Sequence, residues 1–83
     1  MITDTDLDAA RDTYYAAGEA YREARTAHCE AARAYREARG AACDPARAAY
    51  YRTRAACDPA RAAYFKAGED YIATAKRAAE ETQ

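Results

Sequence analysis

The chain has 83 residues but no tryptophan, valine, serine or asparagine, and its larger aliphatic side chains are limited to Met1, Ile2, Leu7 and Ile72. With no serine, one histidine and three scattered glycines, it offers neither a serine nucleophile beside a base nor a glycine-rich phosphate-binding loop. Its acidic residues are spread along the chain rather than paired. These absences argue against catalysis. We therefore expect no enzyme activity, no catalytic residues and no cofactor.

The sequence also has no long apolar run and no even set of cysteines. No uncharged segment approaches the length of a membrane span, and the N-terminus lacks the basic and apolar regions of a signal peptide. We expect a cytoplasmic protein that does not contact a membrane. Cys29, Cys43 and Cys57 are then predicted to be free thiols. Arginine outnumbers lysine eleven to two, which favours a GC-rich coding sequence, as in many bacteria and phages.

Alanine and tyrosine make up for what is missing, with alanine at 26 positions and tyrosine at eight. Alanine, arginine and glutamate favour helix, so the composition predicts an all-α fold. The phrase A-A-C-D-P-A-R-A-A-Y occurs twice, fourteen residues apart. Fourteen residues are two heptads, a period typical of helices that pack along a straight seam. Because alanine buries little apolar area, we expect a chain this short to self-associate.

Helix-end signals predict one helical domain, residues 1–83, made of two arms. Thr5, with Asp8 three residues later, approximates a capping box at the start of arm one. That arm is predicted over about 5–39, with Gly40 as a C-cap candidate and a turn at 40–44.

A proline follows an aspartate at two places, and the two pairs receive different interpretations. Asp44 and Pro45 are predicted as the N-cap and the first residue of arm two, about 45–82. At Asp58 and Pro59 the proline removes a helical hydrogen bond, at a cost of about 3 kcal/mol. The heptad pattern passes through this pair without a shift. The sequence therefore favours one arm kinked or broken at 57–59, and the alternative is a three-helix bundle.

A strict heptad of large and small residues predicts the seam between the arms. In arm one the first heptad positions are Leu7, Tyr14, Tyr21, His28 and Tyr35, and the fourth positions are Ala10, Ala17, Ala24, Ala31 and Ala38. In arm two the first heptad positions are Tyr50, Cys57, Tyr64, Tyr71 and Ala78, and the fourth positions are Ala46, Thr53, Ala60, Ala67 and Thr74. In an antiparallel hairpin these positions face each other, so large meets small without voids. Two registers one heptad apart satisfy this pattern.

Large apolar residues beside the seam predict a second interface, because a two-helix hairpin cannot bury them as well. The usual closed solution is a dimeric four-helix bundle. A row of glutamates at heptad spacing in arm one could then pair with arginines of a second chain. The predicted self-association residues are Tyr15, Tyr51, Phe65, Ile72, Glu23, Glu30 and Glu37.

Charge is distributed unevenly along the chain. Residues 33–66 carry eight basic and three acidic side chains, whereas residues 1–32 carry three and seven and residues 67–83 carry two and four. A hairpin would therefore have a basic tip and an acidic open end. Arg11 and the arginines of the predicted partner-binding edge flank the seam and border one groove. In arm two, Asp44 and Asp58 lie at helical spacing from the arginines and can offset their positive charge. That edge comprises Arg25, Arg39, Arg47, Arg54 and Arg61.

His28, Cys57 and Cys29 are the only candidate metal ligands that the hairpin would bring to a similar height. A tetrahedral zinc site needs four ligands at close range, and Cys43 would lie at the tip, roughly 20 Å away at about 1.5 Å rise per residue. Only a dimer could complete the set. The sequence favours the simpler interpretation, a seam histidine beside a small apolar thiol, and no metal site.

These observations together predict a small helical interaction or structural module. It would act through self-association, as a dimer, and through binding to a protein partner that the sequence does not identify. The alternative is a nucleic-acid-binding hairpin that uses the arginine-rich tip and edge, where guanidinium groups contact phosphates and Tyr50 and Tyr51 contact bases.

Overall fold

The computed structural model describes residues 1–82 and consists of two long helices in an antiparallel hairpin. Helix α1 spans Asp4–Glu37, a short 3₁₀ turn spans Gly40–Ala42, and helix α2 spans Cys43–Glu81. The Cα atoms occupy about 66 × 13 × 12 Å, so the molecule is a rod two helices wide. The predicted all-α hairpin is confirmed, and residues 1–82 do not form the alternative three-helix bundle.

Helix α1 begins at Asp4, and its N-cap is Thr3, two residues earlier than the predicted cap. The Thr3 hydroxyl accepts a hydrogen bond from the Asp6 N–H at 3.1 Å, and the Asp6 carboxylate accepts one from the Thr3 N–H at 3.0 Å. The predicted box of Thr5 and Asp8 is therefore wrong. Both threonines have an aspartate three residues later, and the earlier pair caps a longer helix.

The turn begins with two extended residues rather than with a glycine cap. Ala38 caps the end of α1 with ψ 143°, and Arg39 follows with ψ 147°. Gly40, the predicted C-cap, lies two residues beyond the cap and has φ +61°, a left-handed conformation that favours glycine. Its role is to redirect the chain into the 3₁₀ turn.

Helix α2 begins at Cys43, so the predicted N-cap at Asp44 is wrong. The 3₁₀ turn already has right-handed geometry at Ala42, which occupies the cap position without a side-chain hydrogen bond. The turn therefore runs directly into the helix. Asp44 lies in the first turn of α2, where a negative charge complements the helix dipole.

Pro59 lies inside α2, which is a single continuous helix from Cys43 to Glu81. The helix is not broken at Asp58-Pro59. Since proline has no N–H, the Ala55 carbonyl four residues earlier receives no helical hydrogen bond from this position. The heptad pattern, which passes through this pair without a shift, correctly indicated a continuous helix.

Two cross-helix hydrogen bonds show the register of the seam. The Cys57 thiol donates to the Ala24 carbonyl at 3.2 Å, and the His28 Nδ1 lies 3.1 Å from the Thr53 hydroxyl. Each pair joins a first heptad position to a fourth, as predicted, and the two pairs agree on one register. All twenty predicted seam positions are buried or half-buried. The core is nevertheless thin, because Ala67 is the only buried apolar residue among residues 1–82.

Candidate interaction face

One side of the hairpin carries most of the exposed apolar side chains, and the two seam glycines identify it. Gly18 in α1 and Gly68 in α2 each follow a fourth heptad position, and each is covered by a tyrosine from the opposite helix. In an antiparallel pair, residues at this position in both helices border the same groove. We call this side the front face. It comprises the residues that directly follow a first or a fourth seam position.

Four aromatic rings cross the front face in a row. Tyr15 and Tyr14 have ring centroids 5.9 Å apart, Tyr14 and Tyr64 are parallel at 5.1 Å, and Tyr64 and Phe65 are 6.1 Å apart. The Tyr14 and Tyr64 hydroxyls share a hydrogen bond of 3.2 Å. That hydrogen bond, with the charge that Tyr64 would carry when ionised, raises the pKa of Tyr14 above its ordinary value. We call these four residues the aromatic row.

The glycines make room for the two central rings of this row. A Cβ atom at Gly18 would lie 3.1 Å from Cε1 of Tyr64, and one at Gly68 would lie 3.1 Å from Cε1 of Tyr14. The two contacts are equivalent, so the two helices use one motif reciprocally. Any side chain at either glycine would push against a stacked ring.

The sequence contained a signal for this arrangement that the heptad analysis missed. The segment Y-Y-A-A-G-E at residues 14–19 recurs as Y-F-K-A-G-E at residues 64–69. In both copies a glycine follows the first tyrosine by four residues, one helical turn away. The two copies are fifty residues apart, whereas the copies of the repeat near the tip are fourteen residues apart.

The structure leaves the four predicted apolar self-association residues about half exposed, at 59% for Tyr15, 52% for Tyr51, 52% for Phe65 and 57% for Ile72. All four follow a first seam position, which places them on the front face. Ile72 and Phe65 line one depression together with the central rings of the aromatic row. Tyr51 lies two heptads closer to the tip, with its ring edge against Tyr50 at a centroid distance of 5.3 Å.

The predicted glutamate row lies on the other side of the hairpin. Glu23, Glu30 and Glu37 each precede a fourth seam position by one residue, which directs them away from the front face on a helix of 3.6 residues per turn. Glu23 and Glu30 line a depression with Ala27, and Arg22 of the front face borders it. The apolar and the acidic parts of the predicted self-association set therefore belong to different faces.

The arginines of the predicted edge are exposed and carry no ion pair anywhere in residues 1–82, where the salt bridges involve Arg11 and Lys66 only. Asp44 and Asp58, expected to offset the α2 row, are not within ion-pair distance of it. Arg61 instead lies over the Phe65 ring at 5.2 Å. Arg25 lies 5.7 Å from the Tyr21 ring, and Arg39 donates hydrogen bonds to the carbonyls of Arg36 and Ala38. The full edge is Arg25, Arg39, Arg47, Arg54 and Arg61.

The candidate metal ligands are engaged in other contacts. The Thr53 hydroxyl donates its single hydrogen to a backbone carbonyl of its own helix, so it accepts from the His28 Nδ1–H. The Cys57 thiol donates to Ala24, and Cys29 is exposed. Within the part of the chain that the structure describes, no three His, Cys, Asp or Glu side chains are grouped as metal ligands would be.

Neither helix of the described hairpin combines the length and the apolarity that crossing a bilayer requires. Comparisons of the chain with protein-family models, with curated proteins and with solved structures gave no match.

Proposed function

We propose that this protein is a non-enzymatic helical interaction module that self-associates as a homodimer through its front face. The observation that carries the proposal is the position of Tyr15, Phe65 and Ile72, three large apolar side chains more than half exposed beside the aromatic row. An aromatic side chain buries about 150–250 Å² when fully covered. Half-exposed, these three residues present a patch of roughly 300 Å². This is comparable to the largest apolar patch on a typical monomer, a feature that is often functional.

The small buried core of the hairpin supports the addition of a second layer of helices from another chain. No side chain within residues 1–82 is fully buried, and the only buried apolar residue is an alanine. Chains of this size usually need an additional source of stability, and association supplies it. Two hairpins packed front to front would bury the aromatic rows of both and form a four-helix bundle.

A second copy is the occupant that best fits this face, because a two-fold axis brings each aromatic row against its equivalent. Like charges repel, so the basic tips should point in opposite directions. The glutamate row would then lie outside the interface. A front-to-front dimer leaves that row and the back of the bundle free for another protein.

Sedimentation equilibrium tests the proposal on the full chain. We expect a mass about twice the 9.1 kDa of one chain at micromolar concentration. The double variant Phe65→Glu with Ile72→Glu should shift the mass toward the monomer, because it places charge within the apolar patch. A matched control is Ala62→Glu with Ala73→Glu, which adds the same charge to exposed positions of α2 away from the front face.

Three outcomes would contradict the proposal. The first is a wild-type chain that stays a folded monomer at micromolar concentration. The second is equal weakening of the dimer by the control and the front-face variants. The third is a dimer broken by Glu23→Lys with Glu30→Lys and Glu37→Lys, since this result would assign the interface to the opposite side of α1.

A further inference from the structure

The tip half of the front face concentrates positive charge that the net charge of −1 conceals. The register of the seam places residues 15–32 beside residues 49–66, so residues 15–66 form the tip half of the rod. This half carries ten basic and six acidic side chains, whereas the open end, residues 1–14 and 67–83, carries three and eight. The rod is therefore basic toward its tip and acidic at its open end.

This basic part is confined mainly to one side of the rod. Seven exposed arginines directly follow a first or fourth seam position in the tip half: three lie on α2, three on α1, and Arg39 lies in the turn after α1. The three on α2 span fourteen residues, about 21 Å at about 1.5 Å rise per residue. We call this set the arginine face, which comprises Arg22, Arg25, Arg36, Arg39, Arg47, Arg54 and Arg61.

The charge of the arginine face is not neutralised within the chain. In residues 1–82 none of its seven guanidinium groups lies within ion-pair distance of a carboxylate. Asp44 and Asp58 are the only acidic side chains at equivalent positions of the tip half. The seven arginines exceed these two aspartates by five, and such an excess of unpaired cations along the tip half of the rod attracts a polyanion.

We propose that the arginine face binds the phosphate backbone of nucleic acid. Guanidinium groups bind phosphate oxygens bidentately, and duplex DNA presents one charge per about 1.7 Å of its axis, so a stretch of about 21 Å offers more phosphates than the face has arginines. The two helices place their arginine rows on opposite sides of the seam groove, so the backbone can be contacted from both sides. Tyr51 lies among the arginines and is 52% exposed, which provides a stacking surface for an unpaired base.

A nucleic acid fits this face better than an anionic membrane does. Peripheral membrane binding combines basic residues with a continuous apolar stripe. Here the exposed apolar residues on the front face are concentrated around the aromatic row, toward the open end, where Phe65 lies under Arg61. Within residues 1–82, Tyr51 is the only large exposed apolar residue closer to the tip, so no apolar stripe runs along the arginines. The arginine face therefore provides charge and hydrogen-bond donors without a surface that could insert into lipid.

Fluorescence anisotropy with labelled single-stranded and duplex DNA and RNA of arbitrary sequence tests the proposal on the full chain. If about five phosphates are contacted, raising salt from about 50 mM to about 200 mM should weaken binding by roughly 10²–10³-fold. The variant Arg47→Gln with Arg54→Gln and Arg61→Gln should reduce the slope of log affinity against log salt by about 3. The matched control, Arg33→Gln with Arg52→Gln and Arg77→Gln, removes the same charge from other faces and should change the slope by less than about 1.

The proposal is overturned by the absence of binding to every oligonucleotide at the lower salt. It is equally overturned by a control variant that loses as much affinity as the arginine-face variant, or by binding to anionic lipid vesicles without binding to nucleic acid. The proposal does not depend on the dimer. The monomer-directed variant Phe65→Glu with Ile72→Glu should retain measurable, salt-dependent binding, and sedimentation of each variant separates loss of the dimer from loss of the site.

Discussion

Replacing Gly18 with alanine tests whether the aromatic row is a tightly packed unit. In an ordinary helix interior this change stabilises a protein by about 0.8–1 kcal/mol, because glycine is the poorer helix former. Here the added Cβ would lie 3.1 Å from Cε1 of Tyr64, closer than an ordinary van der Waals contact. The sign of the effect therefore depends on whether the tyrosine ring can move.

The surroundings of Tyr64 oppose such a movement. Its ring is parallel to that of Tyr14 within 1°, at a centroid distance of 5.1 Å, and its hydroxyl is hydrogen-bonded to that of Tyr14 at 3.2 Å. Tyr14 in turn lies against Gly68. A displaced Tyr64 would disturb this stack or force a shift of the helices. Overpacking of this kind costs about 1–3 kcal/mol, so the net effect of Gly18→Ala should be a loss of about 1 kcal/mol.

A double-mutant cycle with Tyr64→Leu isolates the contact. Leucine keeps an apolar side chain on the seam but removes the ring that the Cβ would approach. In the Tyr64→Leu background, Gly18→Ala should therefore stabilise the protein by about 1 kcal/mol, as helix propensity alone predicts. The free energy of unfolding comes from urea denaturation followed by circular dichroism, at one fixed protein concentration because self-association contributes to stability.

Gly68→Ala provides the matched comparison, because its contact with Tyr14 has the same geometry. The two single variants should lose similar stability, and their double variant should depart from additivity, since both changes act on the same pair of rings. Stabilisation of the wild-type background by about 1 kcal/mol on Gly18→Ala would refute the reasoning. It would mean that the ring moves aside freely.

Two further changes test the helix ends and the internal proline. Thr3→Ala should lower the free energy of unfolding by about 1 kcal/mol, because it removes the hydroxyl that accepts from the Asp6 N–H. The Thr3 backbone N–H, which lowers the pKa of Asp6, is kept in this variant, so the stability that the Asp6 carboxylate contributes is present above the ordinary aspartate value of 3.8 and is lost in both proteins as pH falls through the lowered value. A pH series of urea melts should show wild type and variant losing stability in acid at a roughly constant difference, and convergence of the two in acid would contradict this. Pro59→Ala should raise the midpoint of urea unfolding by an amount equivalent to about 2 kcal/mol, since it restores a hydrogen bond to Ala55 whereas the unfolded chain gains some entropy. Pro45→Ala is the control: Pro45 lies in the first turn of α2, where the N–H has no helical partner, so equal effects of the two changes would argue against a missing bond at Pro59.

The heptad pattern was sufficient to predict the hairpin and its seam, because its two alternating positions have physical consequences that do not depend on distant parts of the chain. A tyrosine opposite an alanine fills space, and the same pattern out of phase would leave voids. The pattern could not choose between registers one heptad apart, since both keep that pairing. The contacts of His28 with Thr53 and of Cys57 with Ala24 belong to one register only.

The helix ends were harder to predict, because several residues there have similar local preferences. Thr3 and Thr5 both precede an aspartate at capping-box spacing, so the sequence alone gave no reason to prefer the longer helix. At the start of α2, Asp44 and Pro45 form a strong cap signal, but the 3₁₀ turn after Gly40 already supplies helical geometry at Ala42. A side-chain cap is not needed where the preceding backbone is already helical.

The position that follows the fourth seam residue explains why the front face has two parts. In each helix this position carries glycine at the aromatic row and arginine one heptad closer to the tip, with Gly18 and Arg25 in α1 and Gly68 and Arg61 in α2 as the neighbouring pairs. A glycine allows a tyrosine from the opposite helix to lie over the backbone, which brings the central rings of the aromatic row to this face. An arginine at the same position presents a guanidinium group there instead.

This alternation also predicts how the two proposed sites can be separated. Placing an arginine at Gly18 would introduce both a clash with Tyr64 and a charge beside the aromatic row, so it should weaken the dimer while leaving the arginine face intact. Placing a glycine at Arg61 would remove one phosphate contact and one cation over the Phe65 ring without adding bulk. The two changes affect the same heptad position in different parts of the rod, so the first should weaken self-association and the second phosphate binding. Self-association is expected at the glycine end and phosphate binding at the arginine end.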